Sequence, residues 1–159
     1  MKNMELNRYE TVKAYVYEQY ARIANESLRI AAITHTSMVD TCITLLAITR
    51  SIPLERAKIA ALFHDYAQYI DNCKHSEHAR LSSLYAHQYL AQTKNYKVIE
   101  IDDICFAIAQ HSRKDQFDSP LCECLKDADI LARFLEDPTK PLTGIRKQRL
   151  IDSLADIND

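Results

Sequence analysis

Apolar positions in this chain recur at three- and four-residue steps rather than at every second residue, which predicts helices from end to end. From about Asn7 to Asn25 the stripe is Tyr9, Val12, Tyr15, Val16, Tyr20 and Ile23. A second helix is expected from about Ser27 to Thr49, on Ile30, Ile33, Val39, Ile43, Leu46 and Ala47. "SIPLERAKIAALFHD" opens a third, with Ser51 as cap, Pro53 near the first turn and Glu55 early in the helix. "DNCKHSEH" reads as a loop and "SEHARLSSLYAHQYLAQTK" as a fourth helix. "IDDICFAIAQHS" is a fifth, with Asp102 and Asp103 at its positive N-terminal end. Ser119-Pro120 starts a sixth, "SPLCECLKDADILARFLED". Pro138 and Pro141 interrupt the pattern before "TGIRKQRLIDSLADI" closes it. The expectation is an all-α bundle of six to eight helices without a sheet.

Composition narrows the function classes. The 159 residues fit a single domain with one core, and 47% are hydrophobic. The formal net charge of -2 gives no field to attract nucleic acid. One glycine, Gly144, excludes Gly-rich phosphate loops. Five cysteines (42, 73, 105, 122 and 124), odd in number and without C-x-x-C, point to reduced thiols in a cytosolic protein. Cys122 and Cys124 read as small, partly buried residues, because a zinc site needs further ligands at suitable spacing. "MKNMELNRYETVKAY" has no apolar segment of the signal-peptide type, and no apolar run approaches membrane length. The expected location is cytoplasmic.

Against this background, several polar residues stand on apolar faces. His64 continues the face of Ala57, Ala60 and Ala61, and His111 that of Ile104, Ala107 and Ile108. His35 follows apolar positions in "RIAAITHTSMV". Asp129 shares a face with Leu125 and Phe134, with a second acid, Asp127, two residues before it. A lone buried histidine or aspartate carries a desolvation cost of several kcal/mol. A shared cation would satisfy all of these groups together. Adjacent helical residues point about 100° apart, so His64 and Asp65 converge only if the helix ends there.

The order His35 … His64-Asp65 … Asp129, with "HDYAQYI" and "KDADIL" as local contexts, resembles the HD-domain metal-dependent phosphohydrolase superfamily over roughly residues 27–136. The resemblance implies an all-α HD-domain bundle, with helices 7–25 and 142–156 packing on that core. It also implies a metal held by His35, His64, Asp65 and Asp129, leaving Asp127 as a supporting or surface acid. "SEHARLSSLYAHQYL" and "AIAQHSRKD" are similar to segments of the bacterial HD proteins that hydrolyse diadenosine tetraphosphate symmetrically. By that likeness His78 and His111 hold a second ion, Asp65 bridges, and His64 and Asp65 are the catalytic pair. His78, leading "HARLSS", is preferred to His75; Ser82 is the small residue that lets its helix come close, and His87 is a surface residue.

Imidazole and carboxylate ligands favour one or two ions of Mn²⁺, Fe²⁺, Co²⁺ or Ni²⁺ over Mg²⁺. Such an ion polarises a phosphoryl oxygen and acidifies water. Arg113, Lys114 and Arg133 are candidate cations for non-reacting phosphates, with solvated surface charge as the alternative. Gln68 stands where these proteins often carry Lys or Arg three residues after the aspartate. The expected activity is hydrolysis of a phosphate ester or anhydride, and the expected partner is a small phosphorylated molecule, a nucleotide first. A non-catalytic nucleotide-binding or sensor module on the same fold is the alternative. Neither nucleic acid nor membrane is expected, and a homodimer is allowed.

Overall fold

Eight helices and no strand make up residues 2–158, the part of the chain that the computed structural model describes, with side chains described from residue 7 on. Met1 and Asp159, the ends of the expected domain, lie outside the described residues. In chain order they are α1 (Lys2–Ala21), α2 (Glu26–Thr49), α3 (Leu54–Phe63), α4 (Tyr66–Ile70), α5 (His78–Thr93), α6 (Val98–Gln110), α7 (Pro120–Glu136) and α8 (Gly144–Asn158). The molecule is all-α, as the periodicity predicts.

Local chemistry sets the boundaries. Asn25 caps α2 by accepting the Leu28 N–H, and Ser119 caps α7 by accepting the Cys122 N–H. Ser51, expected to start α3, instead finishes α2. Its φ of 55° is left-handed, its N–H donates to Ile48 O and the Ile52 N–H donates to Ala47 O. This is the Schellman closure of a helix C-terminus, and Pro53 takes the cap position of α3. Asp102 and Asp103 also move inward, because α6 begins at Val98; its first-turn acid is Glu100, whose carboxylate accepts the Lys97 N–H at 2.7 Å.

α2 packs on α3 and α7, α5 on α6, and α6 on α3 and α7, while α8 lies across α7 and α2. Ile30 and Ile33, which marked this helix in the sequence, are exposed; the buried stripe of α2 runs through Ala32, His35, Thr36, Val39, Ile43 and Leu46. That rotation turns His35 inward. By length and hydropathy (1.4 over 18 residues) α2 could cross a membrane, contrary to the sequence expectation, but half of that window is buried inside the fold. Cys122 and Cys124 are fully buried rather than partly so, and all five cysteines are free.

Aromatic packing fixes the end of α3. Phe63 is fully buried, with ring centroids 5.5 Å from Tyr66 and 5.8 Å from Tyr89. Tyr15 from α1 stacks on Tyr89 at 4.1 Å. A Phe63→Ala change should lower stability by about 3–5 kcal/mol through lost burial and the cavity left behind, read as a lower urea midpoint at an unchanged slope. A slope change would instead place the effect on the unfolded chain.

α8 is tied down by charge. Arg149 is buried and pairs with Asp127 at 2.8 Å and Glu123 at 2.7 Å, while its Nε donates to Lys114 O at 2.8 Å. Asp127 also pairs with Arg50, which caps the C-terminal end of α2. Asp127 therefore belongs to the clasp between α2, α7 and α8, and this clasp fixes the loop that follows His111.

Candidate metal centre

Helix α3 stops one residue before His64, and Asp65 takes φ -110° and ψ 13°, in the bridge region between helix and strand. The chain turns there and restarts as α4, and this break lets two adjacent side chains converge. The turn is held from behind: Ser82, fully buried on α5, accepts the Ala67 N–H at 2.9 Å. Ser82 is thus more than a small residue at a close approach; it satisfies one of the N–H groups that a helix start leaves without a partner.

Five of the sequence candidates meet around a sixth, Asp65. Asp65 Oδ2 lies 3.5 Å from His35 Nε2 and 3.3 Å from His64 Nε2. Asp129 Oδ1 closes that group at 3.1 Å from His35 Nε2 and 3.9 Å from His64 Nε2. On the other side, Asp65 Oδ1 lies 3.2 Å from His78 Nε2 and 3.1 Å from His111 Nε2. All six residues are buried. Asp65 thus divides its two oxygens between two clusters.

Hydrogen bonds set the tautomers. His64 Nδ1 lies 2.7 Å from Ala61 O, His111 Nδ1 2.7 Å from Ile108 O, and His78 Nδ1 faces His75 O. A carbonyl only accepts, so each Nδ1 carries the proton and the neutral ring turns a bare Nε2 inward. His35 Nδ1 sits 2.7 Å from Glu136 Oε1. Two Nε2 pairs, His35–His64 and His78–His111, then stand only 3.2 Å apart. Neutral rings in these tautomers would oppose lone pair to lone pair in a buried space, which a cation between them relieves. Donor separations of about 3.0–3.4 Å are what bonds of about 2.0–2.1 Å to one ion produce. Two sets of buried donors gather closely enough to hold an ion, all within 4.8 Å of one another: His35, His64 and Asp129, and His64, Asp65 and His111. The residues present fit a metal site.

Charge balance without ions shows the same demand. Burial alone would raise the Asp65 pKa; without ions, protons on the inward Nε2 atoms take the cations' place, and the charge of His64 with hydrogen bonds from His111, His64 and His78 then holds Asp65 well below the carboxylate range. Burial likewise acts upward on Asp129, which Lys114, His35 and His64 bring well down. Burial pushes His111 down to about 4 despite its hydrogen bond to Asp65. His111 is therefore neutral at pH 7, with its Nε2 free for an ion.

The remaining candidates separate. Lys114, read from the sequence as a phosphate cation or a solvated charge, is not solvated: it is buried on the wall of the cavity beside the site, 2.6 Å from Asp129 Oδ2, and donates to His111 O. It orients Asp129 and ties the two clusters together. Arg113 is exposed and does not line the cavity beside the site, and His87 is exposed on α5. Arg133 reaches over the site, 3.3 Å from Asp65 and 3.4 Å from Asp129. His64 is fully buried with its Nε2 among the donors, the place of a ligand rather than of a free base.

A cavity of about 280 Å³ opens on Asp65, His78, His111 and Asp129, with Gln68, His75, Arg133 and Arg146 also on its walls. Sequence reading missed two participants and gave a third another role. Glu136 and Arg146 carried no signal, since each is one charge among many on an amphipathic helix. Lys114 was named only as a phosphate cation; its pairing could have been found from the need of a buried Asp129 for a counter-charge. Glu136→Ala should weaken ion binding about 10–100-fold by freeing the His35 ring, measured by metal titration; unchanged affinity would show that Glu136 does not orient His35.

Comparison with known proteins agrees with this geometry. The HD-domain family model matches residues 18–133, and the chain belongs to the HD-domain family, one of metal-dependent phosphohydrolases. The fold is similar to a crystal structure described as a predicted HD superfamily hydrolase from an uncultured Thermotogales bacterium. The TM-score is 0.66 at 23% identity, over 92% of this chain and 84% of that one. Curated proteins give no match.

Proposed function

We propose that this chain is a metal-dependent phosphohydrolase acting on a phosphate ester or anhydride of a nucleotide or another small phosphorylated molecule. One observation carries the reading: four imidazoles with inward Nε2 atoms and two carboxylates converge in a buried site beside an open cavity. Divalent ions held there would polarise a phosphoryl oxygen and acidify water. His35, His64 and Asp129 would hold one ion, His78 and His111 the other, and Asp65 both. The donor set, four imidazoles with two carboxylates, suits Mn²⁺, Fe²⁺, Co²⁺ or Ni²⁺ better than Mg²⁺.

The protein's own groups supply order and charge. Backbone carbonyls and Glu136 fix the four rings, so no reorganisation is needed when charge develops. Lys114 holds Asp129 in place. Arg133, about half exposed, can turn from its long contacts with Asp65 and Asp129 to a phosphoryl oxygen.

The test is a panel of phosphate monoesters, nucleotides and phosphoanhydrides with Mn²⁺-loaded protein, beside Asp129→Ala. Mn²⁺-dependent hydrolysis that the substitution abolishes is expected. Hydrolysis that survives Asp129→Ala would overturn the reading. Tight nucleotide binding without turnover under several metals would favour the binding module instead.

A further inference from the structure

The walls of the cavity carry three cations, and they differ in what already occupies them. Lys114 is committed to Asp129 and His111 O. Arg133 makes only two contacts, both longer than 3.2 Å, to carboxylates that ions would engage. Arg146 is exposed, and among the described residues it has neither a carboxylate within ion-pair distance nor a side-chain hydrogen bond. An exposed arginine is ordinarily a solvated charge. Arg146 differs in lining this cavity, and in lying close enough to Lys114 for its charge to act on that ammonium.

Its placement is fixed rather than incidental. Arg149, three residues later on the same helix, is buried and bonded to Asp127, Glu123 and the Lys114 carbonyl. That clasp holds the start of α8 against the loop after His111. Arg146 therefore reaches the cavity from a rigid element. The element also lies beyond residues 18–133, the span that the family model matches.

Cavity size limits what is enclosed. About 280 Å³ is near the lower end of ligand pockets, about 300–1,000 Å³. A phosphate chain fits inside, while a base or other bulky group would extend outward. With one phosphoryl group at the Asp65 cluster, the cations left on the wall face whatever anion follows it.

We propose that Arg146, with Arg133, forms a second phosphate subsite that holds a non-reacting phosphate, so that the site selects a diphosphate or longer chain over a lone phosphate. The proposal rests on the phosphohydrolase reading for which phosphate reacts, but binding alone can test it. Arg146 is a specificity residue here, not a catalytic one. Guanidinium suits the role because its planar fork pairs two phosphate oxygens at once.

The experiment is calorimetric titration of Mn²⁺-loaded full-length protein with inorganic pyrophosphate and, separately, with orthophosphate. Wild type should prefer pyrophosphate by roughly tenfold to a hundredfold, the worth of one or two charge-assisted contacts. Arg146→Ala should reduce that ratio to within about threefold, Arg146→Glu should abolish it and Arg146→Lys should restore part of it. Lys147→Ala, an exposed neighbour on α8, serves as the control and should keep the full ratio. An equal affinity for the two anions in wild type, or a ratio untouched by Arg146→Ala, overturns the subsite. Wild-type turnover of the phosphate panel is scored separately. An Arg146-dependent ratio without turnover removes the hydrolase reading and keeps the subsite; turnover with an Arg146-independent ratio does the reverse.

Discussion

Asp65→Asn should leave the fold intact, reduce bound metal from the two ions proposed to one or none, and slow hydrolysis about a thousandfold. The amide is nearly the same size as the carboxylate, so the packing around the break between α3 and α4 can persist. It loses the negative charge and one oxygen, however. In the structure both Asp65 oxygens are in use, Oδ2 beside His35 and His64, Oδ1 beside His78 and His111. An amide nitrogen placed on either side would aim hydrogen at an ion. Losing about 4 kcal/mol of charge stabilisation corresponds to the thousandfold, at about 1.4 kcal/mol per decade. The measurements are metal content after gel filtration and kcat/KM in Mn²⁺. Two retained ions and a loss below tenfold would show that Asp65 does not bridge.

Chelation should lower the melting temperature of the wild-type protein by about 5–10 °C, and Mn²⁺ should restore it. Without ions, the His35–His64 and His78–His111 nitrogens remain 3.2 Å apart in a buried space. Saturation at a hundred times Kd contributes about 2.7 kcal/mol, and a domain of this size shifts by about 2–4 °C per kcal/mol. The matching experiment on Asp65→Asn should show a much smaller chelator effect, because less metal is there to lose. A wild-type melting curve indifferent to chelator and to Mn²⁺ would leave the histidines as ordinary core residues.

How much of this was legible in the sequence depends on the kind of signal. The helices were, because a 3.6-residue repeat survives without knowledge of neighbours. Ser51 was misplaced because serine serves both ends of a loop: the same residue can start a helix or, as here, take the left-handed position that ends one. Ile30 and Ile33 helped to mark α2 but are exposed, because apolar spacing marks a helix without saying which stripe is covered.

Of the six residues that meet at Asp65, His35, His64, His111 and Asp129 could be picked out as polar interruptions of apolar faces, whereas Asp65 and His78 could be picked out only through the resemblance and their order along the chain. Their mutual distances could not, since these depend on the break at Asp65 and on Ser82 receiving the restarted helix. Lys114 was misjudged because burial of a lysine is visible only with its partner, Asp129, fifteen residues away. Arg146 was out of reach for the same reason. Gln68 does line the cavity, but the cations on its walls, Lys114, Arg133 and Arg146, come from segments remote from Gln68 in sequence.

The most direct test of the central claim is an anomalous-scattering map from crystals of the Mn²⁺-loaded protein. Two peaks are expected, about 3.5–4 Å apart as in other two-metal hydrolytic sites, one on each side of Asp65. The first should lie among His35, His64 and Asp129, and the second beside His78 and His111. A map with no peak among these six residues at saturating Mn²⁺ would contradict the account.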